Sequence, residues 1–184
     1  IEYRKTNKNK VFKIQNKKIL SIDTADLVKI LSTTDGQMKQ IIRFTLLTTS
    51  RISEVLSLKI KDIDFINGII NIFQRKSNSF KIIPLTEKLS ELISEIIYSD
   101  HCGIDNSMNY LFHKKISNDQ YLKLRTDTIS KKFKKILREL NLSEDFKFHS
   151  LRHSAITELI HNNVPLNIVK EIADSEHAGV LPIC

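Results

Sequence analysis

Between Asp62 and Leu85 the chain gathers most of its strand-like residues. Asp62 to Phe65, Gly68 to Gln74 and Phe80 to Leu85 read as three short strands. Asn67-Gly68 marks the first turn, because both residues take positive φ readily and such pairs close tight hairpins. The second turn carries Arg75 and Lys76. Outside this stretch most apolar residues recur at helical spacing. The expected fold is therefore mainly α with a small three-stranded antiparallel β-sheet.

The helices follow from caps and apolar periods. Asp23 or Thr24 can cap a first helix with Leu27, Val28, Ile30 and Leu31 on its apolar face. Asp35-Gly36 turns the chain, and a second helix runs from about Gln37 to Leu47. A third is expected over Ile52 to Leu58, with Arg51 at its start. Thr86 caps a helix reaching Tyr98, and Tyr110-Leu111-Phe112 reads as a short buried segment. Lys114 to Leu124 reads as a polar loop. Thr126 or Asp127 opens a basic helix to Leu140, with Ile129, Phe133, Ile136 and Leu137 as its core stripe. The last helices run over His149 to Asn162 and from Val164 to about Ala173.

Chemistry concentrates in Phe148-His-Ser-Leu-Arg-His-Ser-Ala155. On a helix, residues three apart share a face, so His149 and Arg152 point together, with His153 one position round. A histidine exchanges a proton near neutral pH. An arginine is a permanent planar cation that grips phosphate oxygens in pairs. Together they suit a phosphodiester whose oxygens gain charge as it reacts; taken alone, such a pair is more often two solvated surface side chains. A second motif is Thr48-Thr49-Ser50-Arg51-Ile52-Ser53-Glu54. A helix start attracts phosphate through its free N–H groups, and Arg51 would strengthen that. Arg51 and Glu54 could also form a simple surface ion pair.

At 184 residues the chain is one ordinary domain, or a domain with tails. Lys and Arg outnumber Asp and Glu by 29 to 21, a net charge of +8 that favours a polyanionic partner. Cys102 and Cys184 lack metal-ligand or disulfide-framework spacing, which fits a reducing cytosol. No apolar run is long enough to span a bilayer.

In chain order Arg51, Lys76, then His149-x-x-Arg152 resembles the catalytic domain of the tyrosine recombinases, or phage integrase family, with its Xer-like and integrase-like members. The likeness runs from about Leu20 to Lys170. It implies the family's catalytic-domain fold over residues 20–177, a basic linker or arm over 1–19, and an atypical tail over 178–184. It implies site-specific DNA recombination by strand cleavage and rejoining through a 3′-phosphotyrosine, without cofactor or metal. Arg51, Arg152 and a second histidine would stabilise the transition state. His149 would accept or organise a proton, and Glu54 and His153 would support the site. Lys76 would be the mobile lysine that protonates the leaving oxygen. Lys81 competes for that place, as a phosphate contact or a solvated edge residue. Arg75, Lys131 and Lys135 would meet the DNA backbone. The implied partners are double-stranded DNA and other protomers in a tetrameric synapse, in the cytoplasm at the nucleoid.

The second histidine position falls on Ser175 in an ungapped count and on His177 with a short insertion; the chemistry favours His177. Family members commonly place Thr-Gly where this chain has Thr49-Ser50, so the backbone there is expected to avoid a glycine-only conformation. Tyr3, Tyr98, Tyr110 and Tyr121 all precede the His-x-x-Arg helix. With its start at Ile1, the chain is expected to be a fragment without the nucleophile, unable by itself to join DNA covalently. The alternatives are a non-catalytic DNA-binding relative or a related type IB topoisomerase.

Overall fold

The computed structural model describes residues 20–75, 77–99, 109–117 and 120–174. The Asp23 carboxylate accepts from the Asp26 N–H at 2.8 Å and so starts α1, Thr24–Thr33. Ile30 and the partly buried Leu27 and Leu31 give α1 its inner face. Val28, expected there too, is 60% exposed. Gly36 takes φ +49° and opens α2, Gly36–Thr48. Ile41, Ile42 and Phe44 of α2 are fully buried.

The third helix, α3, is only Ile52–Val55. The expectation that it reaches Leu58 does not hold. Ser57 and Leu58 donate to the carbonyls of Glu54 and Val55, three residues back, so the chain tightens into a turn. One turn of helix sums few peptide dipoles, so the phosphate attraction expected at this helix start rests mainly on Arg51 itself.

A single 3₁₀ turn over Ile60–Asp62 leads into β1, Ile63–Asp64. β2, Ile69–Gln74, and β3, Ser79–Pro84, complete a three-stranded sheet in the order β1-β2-β3, antiparallel throughout. Gly68, at φ +64°, makes the turn before β2. Directly opposed residues share a face of an antiparallel pair. Ile72 faces the core and opposes Lys81, so Lys81 faces the core as well.

α4 follows as Glu87–Ser99, with Leu89, Leu92, Ile93 and Ile96 buried. The expected polar loop over Lys114 to Leu124 is instead a hairpin, β4, His113–Ser117, and β5, Gln120–Lys123. Its inner end is anchored by neighbours rather than by its own pattern. The Leu111 N–H donates to the Leu58 carbonyl at 2.8 Å, and the Ile60 N–H to the Asn109 carbonyl at 3.0 Å. The His113 ring meets Tyr121 edge to face at 4.5 Å.

α5, Thr126–Glu139, buries Ile129, Phe133 and Leu137. Phe133 meets Phe148 edge-on at 5.4 Å, which seats the first turn of α6, Phe148–His161. α7 spans Leu166–Asp174. The helix α2 runs through the middle, packing on both α4 and α6.

Candidate active site

The site is built on the turn that ends α2. Thr49 sits at φ +50°, ψ +22°, in the left-handed region. A β-branched residue rarely adopts that conformation. Ser50, which stands where family members commonly have glycine, keeps a negative φ, so the backbone there avoids a glycine-only conformation as expected; the left-handed residue is Thr49 before it.

Several bonds hold it. The Lys81 ammonium donates to the Thr48 carbonyl at 2.9 Å and to Thr49 Oγ1 at 3.1 Å. Thr49 Oγ1 donates in turn to the Ile172 carbonyl at 3.0 Å. Arg152 Nη1 donates to the Thr49 carbonyl, and Nη2 to the Ala173 carbonyl at 2.6 Å. Ile172 and Ala173 lie in the last described turn of α7. Thr49 and Arg152 thus tie α7 to the turn before Arg51 while fixing that turn.

Lys81 is 1% exposed, so the reading of it as a solvated edge residue or surface phosphate contact is corrected. A buried ammonium needs hydrogen-bond acceptors, and the α2 terminus supplies them.

Arg51 follows the turn and stays partly accessible, its side chain 30% exposed. The buried Glu54 carboxylate takes the Arg51 N–H at 2.8 Å and Nη1 at 2.9 Å. The pair found in the structure does more than a surface ion pair, because it fixes both the backbone and the guanidinium of Arg51.

Across the turn, α6 presents His149 and His153, whose rings meet edge to face at 4.6 Å. His149 keeps an exposed edge. Loss of water on its packed side, followed by the charges of His153, Arg152 and Arg51, holds its pKa below the usual imidazole value, with Glu54 opposing. Partial burial and then Arg152 lower His153 likewise. Arg51, His149, Arg152 and His153 therefore share one electrostatic environment. Arg152 turns inward from it, 4% exposed.

Lys76, Ser175 and His177 lie outside the described residues. Arg75, just before Lys76, is exposed and lines a cleft of about 380 Å³ together with Arg51. Lys131 and Lys135 stand exposed on α5 and do not line that cleft. Sequence reasoning missed Thr49, and it missed Lys59, Tyr110 and Lys123, which line the cleft too. The signal for Thr49 was its place between a helix end and a helix start, where a left-handed residue commonly stands. Lys59 and Lys123 had no local signal, because the hairpin that carries Lys123 was not visible. Among the described residues, no group of three or more His, Cys, Asp or Glu could hold a metal ion. Nor is any described helix long and apolar enough to cross a membrane.

A mainly helical domain with a three-stranded antiparallel sheet, two arginines meeting at one turn and histidines beside them defines the class. The model of the phage integrase family matches residues 15–179, and the chain belongs to that family. It is 33% identical over 138 residues to a protein of Methanocaldococcus jannaschii named as a probable integrase/recombinase, over 71% of this chain and 40% of that one. It is 25% identical over 162 residues to the tyrosine recombinase XerD of Staphylococcus saprophyticus, over 85% of this chain and 51% of that one. The chain spans about half the length, or somewhat less, of these curated relatives. Among solved structures, the fold is similar to that of the XerA recombinase, with a TM-score of 0.67 at 19% identity, covering 86% of this chain and 55% of that one. The Tn1549 transposon integrase with circular intermediate DNA gives 0.68 at 20% identity, covering 90% and 60%.

Proposed function

We infer that this chain is the catalytic domain of a site-specific DNA recombinase, which cleaves and rejoins strands through a 3′-phosphotyrosine. The observation that carries this reading is the meeting of two arginines. Arg152 holds the carbonyl of Thr49, and Arg51 emerges two residues later, beside His149. A phosphodiester placed there gains charge on its non-bridging oxygens as it reacts, and fixed cations favour that charge without reorganising. His149, held toward its neutral form, is suited to accept a proton. Lys76 supplies the proton to the leaving oxygen in this scheme, and His177 completes the anion site. Glu54 and His153 hold Arg51 and His149 in place. Lys81 takes a positioning part instead of a DNA contact.

Relatives captured with DNA support the partner. The Tn1549 integrase was solved with its circular intermediate DNA and the XerH recombinase on its difH substrate. Double-stranded DNA is thus the proposed partner, met by Arg75, Lys131 and Lys135, with residues 1–19 as a basic arm. A tetrameric synapse at the nucleoid, in the cytoplasm, completes the scheme.

A second reading, a DNA-binding relative without chemistry, draws on the burial of Arg152 among backbone carbonyls. One experiment separates the two. The complete gene product is incubated with a nicked duplex carrying its crossover site and run on a denaturing gel. A covalent adduct whose formation slows about 10²–10³-fold in Arg51→Ala supports the recombinase. Tight binding with no adduct leaves the binding-only relative.

A further inference from the structure

The cleft that Arg51 lines is not lined by His149 or Arg152. It is lined by four cations, Arg51, Lys59, Arg75 and Lys123, against one carboxylate, Glu54, which Arg51 already occupies. At its floor, the ammonium groups of Lys59 and Lys123 lie 5.3 and 5.8 Å from the centre of the Tyr110 ring. Both distances fall within cation–π range. Among the described residues neither lysine makes an ion pair with a carboxylate. Lys123 donates instead to the Ser57 hydroxyl.

The frame is fixed by backbone bonds. Lys59 and Tyr110 form an antiparallel bridge, braced by the Ile60–Asn109 and Leu111–Leu58 hydrogen bonds. Lys123 is paired with His113 across the β4–β5 hairpin. Two ammonium groups are thus held near one ring, and among the described residues neither is paired with a carboxylate. A cleft lined by four cations, whose one carboxylate is already paired, is suited to an anion. Desolvation, and then the charge of Arg75, lower the pKa of Lys123, as expected of a cation that lacks an anionic partner.

The geometry points to a second phosphate seat: Lys59, Lys123 and Ser57, on the Tyr110 platform, bind the DNA backbone phosphate neighbouring the one held by Arg51. The seat rests on the recombinase reading and deepens it, because it would set the path of the strand leaving the reacting phosphate. The aromatic ring holds the lysines rather than stacking a base, since its surroundings are already taken by the two ammonium groups. Binding at the seat is therefore indifferent to base identity.

The test measures affinity of the complete gene product for its crossover-site duplex across a salt series, using wild type, Lys59→Gln, Lys123→Gln and the double variant. Each lysine lost should lower the log–log salt slope by about one. Duplexes with a single neutral methylphosphonate, placed in turn near the cleavage position, locate the contact. One position should weaken wild type and leave the double variant indifferent. Tyr110→Phe should bind as wild type, whereas Tyr110→Leu should behave like the lysine variants. Unchanged slopes in the lysine variants, with wild type binding steeply, would overturn the second seat alone. A wild type that binds the duplex with no salt dependence would instead remove the recombinase reading beneath it.

Discussion

Thr49 brings three distant parts of the chain together, Lys81 from the sheet, Arg152 from α6 and Ile172 from α7. Its backbone conformation is the one that glycine adopts without cost, whereas an L side chain there costs roughly 1–2 kcal/mol. Its hydroxyl offsets this through two hydrogen bonds, each worth about 1 kcal/mol. Thr49→Gly and Thr49→Ala both lose the hydroxyl, but only Ala keeps the strain. Urea unfolding should therefore find Thr49→Gly more stable than Thr49→Ala by about 1 kcal/mol. Equal stabilities would mean that the turn relaxes when the hydroxyl goes. The histidines make a second prediction at this scale. His149 and His153 both titrate below the ordinary value, near 6.5. Below about pH 6.5 the unfolded chain thus binds more protons than the folded one, and stability rises with pH through that window. The contribution is complete above the unfolded value and is lost as the pH falls toward the folded values. Melts in a series of buffers from about pH 5 to 7.5 should show wild type weakening on the acid side. The His149→Asn/His153→Asn double variant should give a flatter curve.

At the scale of elements, α7 depends on side chains from elsewhere. Two of its carbonyls, those of Ile172 and Ala173, accept from Thr49 and Arg152. Arg152→Gln keeps a polar side chain but loses the forked cation. Hydrogen bonds from charged groups are worth about 1.5–3 kcal/mol, so the amides of α7 should exchange at least about tenfold faster, with α2 and α4 little changed. Uniform acceleration throughout would show that Arg152 supports the whole core and not α7 in particular. Elements also decide what could be read from the sequence. His149, Arg152 and Arg51 were legible because each belongs to a short motif at a helix start. Lys81 was not. Phe80, Ile82 and Ile83 around it gave no sign of which face was inward, and only its pairing with Ile72 settled that. The β4–β5 hairpin was hidden for a related reason. Lys114, Lys115 and Ser117 carry no apolar alternation, and the strands are held by cross-chain bonds and by the His113–Tyr121 contact. The shortness of α3 was invisible too, because apolar spacing cannot distinguish one helical turn followed by a tight turn from two turns of helix.

For the whole molecule, the excess of basic residues was plain from composition, but its arrangement was not. The structure divides the cations into kinds that a residue count cannot separate. Lys81 and Arg152 are buried and hold backbone carbonyls. Arg51, Lys59, Arg75 and Lys123 line one cleft, while Lys131 and Lys135 stand on the outer face of α5. Buried cations stabilise the fold with their own partners and should respond little to salt, whereas the outer ones repel one another and are screened. A polyanion that binds only the folded chain should therefore stabilise it by mass action. At a concentration of one hundred times Kd the gain is about 2.7 kcal/mol. For a chain of this size, that corresponds to a rise in Tm of roughly 5–11 °C. Duplex DNA or heparin should produce this shift in dilute buffer, and added salt should abolish it by weakening the phosphate contacts. The Lys59→Gln/Lys123→Gln variant should show a smaller rise with duplex DNA than wild type while matching its Tm in the absence of a polyanion. That combination separates cations kept for a partner from cations kept for the fold: removing the first kind changes only the bound state, and removing Lys81 lowers Tm with or without DNA.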